Sequence, residues 1–204
     1  MTPAPLKSGK KASVTREAIL EAARVAFLSQ GYAQVGVREI GSEAGVNCAL
    51  VNRYFGSKLN LFREVLGDET DYSELYAGPV SELGKRLAEF VITGVMHSPE
   101  GAALTLDAER MLLFLRSVGC SEALPVLREA LAEKMTQPLA KYLPEPHSQE
   151  KAALLASHIF GFILIHRLVG VACALQADRR VMTQQLALSL QSIIDHDINA
   201  KDPT

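Results

Sequence analysis

Apolar residues recur at helical spacing along most of this chain. Ile19, Ala22, Ala23, Ala26 and Phe27 make one such stripe. With Thr15 as N-cap, Val14 and Ile19 as a staple and Gly31 as the stop, it predicts a helix over 15–30. Two shorter patterns follow, Ile40 with Ala44 and Val51 with Phe55, each at i, i+4. They meet at Glu43-Ala44-Gly45-Val46-Asn47, where Gly45 suits a sharp turn, Val46 plugs it and Asn47 can cap the next helix. Ser57 opens a fourth helix carrying Leu61, Phe62, Val65 and Leu66. The acidic, broken stretch 67–79 ends in Ala77-Gly78-Pro79 and marks a boundary. Beyond it the pattern predicts helices over 80–97, 104–118, 122–143 (kinked or shortened by Pro138), 149–176 and 179–199. No strand pattern of weight and no internal repeat is visible. The expectation is an all-α protein with a three-helix N-terminal domain over 15–67 and a larger helical bundle over 79–199. Residues 1–14, rich in Pro, Lys, Gly and Ser, read as a flexible basic arm.

Helix, Gly-containing turn and helix is the layout of a helix-turn-helix, whose second helix enters the DNA major groove. If Val51 and Phe55 face inward, Cys48, Ala49, Asn52 and Arg53 face outward and Tyr54 lies at the edge. Small residues at 48 and 49 allow a close approach to base edges. Asn and Arg can each place two hydrogen bonds on adenine and guanine. Arg38 sits on the exposed side of the first motif helix, Asn47 stands at the start of the second, and Tyr54 and Lys58 are within reach of phosphates. The bland alternative is an ordinary surface helix pair.

The runs TREAILEAARVAFLSQGY, VREIGSEAGVN and NRYFGSK-NLFREVL, from Thr15 to about Leu66, resemble the TetR (tetracycline repressor-like) family of one-component regulators. Phe55-Gly56-Ser57-Lys58 is their most characteristic piece. The chain departs from the pattern at Gly36 (usually a Ser or Thr cap), Gly41 (usually Ala), Asn52 (usually a phosphate-contacting Tyr) and Leu59-Asn60 (usually acidic). The resemblance implies a homodimer joined through its last two long helices, here near 149–176 and 179–199. It implies recognition helices in successive major grooves of a pseudopalindromic double-stranded operator. It also implies a small-molecule effector in the C-terminal domain that moves the fourth helix and releases DNA.

Charge agrees with that division. The net charge is −2, but residues 1–63 carry +5 and residues 64–204 carry −7. Cys48, Cys120 and Cys173 are scattered and fit neither a disulfide framework nor a zinc site, which points to a reducing, cytoplasmic setting. No metal or cofactor is expected. Catalysis finds no support either: no Glu-x-x-His pair, no Gly-rich phosphate loop and no nucleophile setting occur. Cys48 as a redox sensor is weaker than the plain reading of a small residue facing DNA.

Between Ala152 and Ala174 the only polar residues are Ser157, His158, His166 and Arg167. A membrane span competes, but two His and an Arg in mid-segment cost several kcal/mol. A helix covered by its own bundle on one side and by a second subunit on the other explains the pattern without a membrane. Ala153, Ser157 and Gly161 form a small-residue stripe for that second helix. Candidate lining residues for an effector are Phe90, Met96, Arg110, Met111, Phe114, His158, Phe162 and His166, an apolar set with a few polar fixing groups that favours an apolar effector. Core packing is the competing explanation for each Phe and Met. The sequence-level reading is a ligand-responsive repressor; the alternative is an architectural DNA-binding protein without an effector.

Overall fold

A computed structural model describes residues 7–67, 72–97, 103–105, 108–170 and 178–196. The elements are α1 (Lys7–Gln30), α2 (Val37–Glu43), α3 (Cys48–Phe55), α4 (Lys58–Leu66), the single turn α5 (Ser73–Tyr76), α6 (Leu83–Thr93), β1 (Val95–His97), β2 (Ala103–Thr105), α7 (Ala108–Ser117), α8 (Leu124–Leu131), α9 (Gln137–Ala140), α10 (Ser148–Ile163) and α11 (Arg179–Asp195). A 3-10 turn over Val80–Glu82 precedes α6, and π-helical turns occupy Ala132–Thr136 and Leu164–Val169.

The helical fold holds, with local corrections. The arm expected over 1–14 is helical from Lys7, so Thr15 lies inside α1 and does not cap it. The helix expected to run to His97 stops at Gly94, which takes the left-handed conformation (φ 75°). Val95–His97 then pairs antiparallel with Ala103–Thr105, in the register Val95 to Thr105. That pair occupies the start of the helix expected from 104. Pro138, which has no N–H to give, falls in the first turn of α9 just after the π turn, and the helix expected to kink or shorten there passes through π geometry and ends at Ala140. The long helix expected over 149–176 changes to π geometry after Ile163, and Gly170 ends it at φ 66°. Residues 171–177, where its end was expected, lie outside the described residues.

The chain forms two compact units. One comprises Met1–Glu69 with Glu109–Ala130, the other Thr70–Ala108 with Leu131–Thr204. The first expectation was a head confined to 15–67, yet residues 109–130 pack into it. Its core joins Ile19, Phe27, Tyr32, Ile40, Val51, Leu61 and Phe62 to Leu113, Ala123, Val126 and Leu127. Phe27, Tyr32 and Phe62 meet with ring centroids 4.9–5.9 Å apart, Phe27 stacked on Tyr32 and Phe62 edge-on to both. The second unit buries Leu83, Leu87, Phe90 and Val91 of α6, Leu155, Ile159 and Ile163 of α10, and Leu186, Leu190 and Ile194 of α11.

Candidate nucleic-acid interface

The turn is built as the sequence predicts. Gly45 has φ 66°, and its neighbour Val46 donates its N–H to the Gly41 carbonyl at 2.8 Å. Gly41 sits close under the turn: a Cβ there would stand 3.0 Å from the Val46 carbonyl oxygen and 3.2 Å from the Cys48 nitrogen, so an added methyl needs those neighbours to give by a few tenths of an ångström. The missing cap side chain at Gly36 is replaced in part by Glu39, whose carboxylate accepts from the Gly36 N–H at 3.4 Å. Asn47 caps α3, its Oδ1 accepting from the Ala49 N–H at 2.9 Å, and Ser57 caps α4 through the Asn60 N–H at 3.1 Å. Both caps answer helix-end donors that would otherwise lack partners.

With Val51 and Phe55 buried, α3 presents Ala49, Asn52 and Arg53 to solvent, while Cys48 is half-buried. Tyr54 is half-buried too, packed against the core of its unit. On α2 Arg38 is exposed. Of the five arginines between residues 12 and 67, three are engaged. Arg16 pairs with Glu64 and lies 5.0 Å over the Phe55 ring. Arg24 sits 3.3 Å from both Glu21 and Glu109, and Arg63 is 3.1 Å from Glu129. Arg38 and Arg53 meet no carboxylate among the described residues. The two free guanidinium groups therefore belong to the two motif helices, and Asn52 is exposed beside Arg53 in α3.

Lys58 has a partner that the sequence did not suggest. Its ammonium stands 4.1 Å from the centroid of Tyr32. Tyr32 is fully buried, its hydroxyl donating to Glu122 at 2.6 Å and its N–H to the Ser117 hydroxyl at 3.1 Å. Burial, and then the Glu122 carboxylate, push the Tyr32 phenol above its ordinary pKa. Arg116 donates to the carbonyls of Leu28 and Ser29 at the C-terminus of α1, where cations are favoured. This latch between α1 and residues 116–122 was not read from the sequence. Gly31-Tyr32 was visible as a helix stop, but nothing near it points to a carboxylate 90 positions on.

The proposed effector residues belong to both units. Phe90 is buried in the second unit. Met111 and Phe114 lie on α7, in the stretch that belongs to the DNA-binding unit, where Phe114 packs on the core. His158 is exposed and its Nδ1 lies 2.9 Å from the Leu154 carbonyl. Phe162 and His166 stack at 3.8 Å and 14°, leaving the buried His166 Nδ1 without a partner among the described residues. The side chains of Met96 and Arg110 lie outside the described residues. Among the described residues there is no cluster of His, Cys, Asp or Glu able to hold a metal ion, and no helix long and apolar enough to cross a membrane.

Residues 19–65 match the family described as bacterial regulatory proteins, tetR family, and residues 81–194 match the tetracyclin repressor-like C-terminal domain. No curated protein sequence gives a match. Among solved structures, a TetR-family regulator of Streptomyces coelicolor is 21% identical, with 96% of this chain and all of that one aligned at a TM-score of 0.59. GusR of Salmonella enterica is 16% identical over 89% of this chain and 96% of its own, at 0.63. NalD of Pseudomonas aeruginosa, the secondary repressor of the MexAB-OprM multidrug efflux pump, is 19% identical over 89% and 95%, at 0.61. At such identities the structures speak for the fold, whereas the family matches cover most of the chain. With a helix-turn-helix whose two helices carry the free arginines, the chain belongs to the tetR family and is a DNA-binding transcriptional regulator, not an enzyme.

Proposed function

We propose that the protein is a homodimeric, cytoplasmic repressor that reads a pseudopalindromic operator and leaves it when a small molecule binds within residues 79–199. The observation that carries the DNA-reading part is the pair of unengaged arginines, Arg38 on α2 and Arg53 on α3, beside the exposed Asn52. Arg53 and Asn52 are the groups assigned to bases; Arg38 and Tyr54 flank them, and Lys58 serves the interface by bracing Tyr32.

Dimerisation is supported by an apolar face without a cover. Ala153, Ser157 and Gly161 are exposed along α10, and a Cβ at Gly161 would meet nothing within 4 Å. Leu154, Ile165, Val169 and Val181 are large apolar residues exposed on α10, its continuation and α11. Such a surface suits a second copy of the same helices. Repression as the direction of control is supported by the fold shared with NalD, a repressor by name.

The test is selection of bound duplexes from a random pool, with the parent and with Arg53→Ala. The parent is expected to enrich two inverted half-sites spaced by about 34–36 Å or a multiple of it. Arg53→Ala is expected to lose about 1–3 kcal/mol on the selected site and to relax one base position. Enrichment of single, unpaired sites would remove the dimer. Equal losses on selected and random DNA would reduce Arg53 to a phosphate contact.

A further inference from the structure

From the geometry we infer that the groove between α6 and α11 is a binding site for an amphiphilic organic anion, with a carboxylate or phosphate head and an apolar body. This refines the proposal that residues 79–199 bind a small molecule, and rests on it only for the step from binding to DNA release.

The groove encloses about 1120 Å³. Its floor is fixed by the approach of the two helices at Gly84, where a Cβ would stand 2.6 Å from the Gln191 nitrogen and 2.7 Å from the Ala187 carbonyl oxygen. The Gln191 side chain ties the same crossing, accepting from the Gly84 N–H at 2.9 Å and donating to the Val80 carbonyl at 3.1 Å. The groove is therefore a built feature of a rigid crossing.

Its charge runs against that of its surroundings. Residues 70–108 and 131–204 hold nine Lys and Arg against thirteen Asp and Glu. Four of those nine cations, Lys85, Arg86, Arg179 and Arg180, line the groove, but only one acid, Glu89, does. Not all four are available to a ligand. Arg86 is held by the carbonyls of Leu75, Tyr76 and Pro79 at 3.1–3.3 Å. Lys85 stands 4.0 Å from Glu89, which offsets it. Arg179 and Arg180 remain, both exposed, and neither guanidinium meets a carboxylate among the described residues. A free guanidinium offers a fork of donors that matches a carboxylate or phosphate, and the groove lining holds two such groups at one end, Arg179 and Arg180.

The rest of the lining defines the body of the ligand. Phe90, Val95, Ala187 and Leu188 contribute apolar surface, and Leu188 is 59% exposed there. Arg180 and Leu188 are on the same helix, about 12 Å apart along its axis at 1.5 Å per residue. An occupant that satisfies both ends has an anionic head and an apolar body of about that length, which excludes a bare inorganic anion and a neutral oil.

Isothermal titration of the full chain with dodecanoate, dodecyl phosphate and dodecanol, each below its micelle concentration, tests this. Both anions are expected to bind at least about tenfold more tightly than the alcohol. Arg179→Gln with Arg180→Gln should abolish that preference while leaving dodecanol affinity and the melting temperature unchanged. Equal binding of anion and alcohol by the parent, or a preference that survives in the double variant, overturns the site. Release of a selected operator is read in parallel. Anions that bind through the arginines without releasing DNA leave the groove standing and sink the effector reading. Release by an anion that the double variant binds and answers equally well does the reverse.

Discussion

Each unit of this molecule is closed at a glycine, and the two closures differ in kind. In the DNA-binding unit Gly31 ends α1 with φ 78°, and a Cβ there would stand 2.6 Å from the Arg116 carbonyl oxygen. In the other unit Gly84 lies inside a helix, and its missing side chain admits the backbone of Gln191 and Ala187. Gly84 contributes closeness alone. Gly31 contributes closeness, a backbone conformation that other residues avoid, and the start of a side-chain latch through Tyr32 to Ser117 and Glu122. The DNA-binding unit thus depends on a polar joint between distant segments. The crossing at Gly84 depends on shape first, with the Gln191 side chain tying it to the Gly84 N–H and the Val80 carbonyl.

Gly31→Ala should have the largest effect. The left-handed conformation costs a non-glycine residue about 1–2 kcal/mol, and pressing a methyl against a fixed carbonyl costs about 1–3 more. A loss of about 3 kcal/mol is expected in urea unfolding, with operator affinity falling among the molecules that remain folded. Gly84→Ala carries the clash without the backbone penalty, and up to about 1 kcal/mol of helix propensity returns. About 1–2 kcal/mol is expected, with operator affinity unchanged. Should Gly84→Ala cost as much as Gly31→Ala, the two closures are equivalent and the distinction between them fails.

Tyr32→Phe tests the latch without touching the glycine. It removes the hydroxyl that donates to Glu122 at 2.6 Å, and since Glu122 reaches solvent, a cost of about 1 kcal/mol is expected at neutral pH. The variant also has a pH signature. The Tyr32 phenol is raised in the folded state. Its contribution is complete below the unfolded value of about 10 and is lost as pH climbs from there towards the higher folded value. The parent should therefore destabilise more steeply than Tyr32→Phe above about pH 10. Parallel curves in alkaline titration would show that the phenol is not held neutral by the fold.

The unequal legibility of the two closures has a physical origin. The turn at Gly45, the caps at Asn47 and Ser57, and the burial of Val51 and Phe55 are decided within a few residues, so the order of residues displays them. The engagement of Arg16, Arg24 and Arg63, which leaves Arg38 and Arg53 free, depends on partners as remote as Glu109 and Glu129 and could not be read. The same holds for residues 109–130, whose apolar stripe fits any bundle. Only packing assigns Leu113 and Leu127 to the core of the DNA-binding unit. The proposed effector residues fall in both units, Met111 and Phe114 in the first and Phe90 and Phe162 in the second, and no local pattern marks that division. The groove of α6 and α11 escaped because its cations, Lys85 and Arg86 on one side and Arg179 and Arg180 on the other, are about a hundred residues apart.

The smallest predicted effect concerns Arg63 and Glu129, which join α4 to α8 across the surface of the same unit. Both side chains are 48% exposed, and their 3.1 Å contact is in high dielectric, where an ion pair contributes about 0.2–1 kcal/mol. Arg63 also donates to Asn60 at 3.0 Å, so removing it disturbs two contacts, and single variants overstate the pair. A double-mutant cycle of Arg63→Ala and Glu129→Ala isolates the coupling. It should be about 0.5 kcal/mol in dilute buffer and vanish in molar salt, where the screening length falls to about 3 Å. A coupling above about 1.5 kcal/mol that persists in salt would mean that the joint is carried by surface charge as much as by buried Tyr32. The contrast between a buried phenol latch at Tyr32 and close backbone packing at Gly84 would then have to be drawn elsewhere.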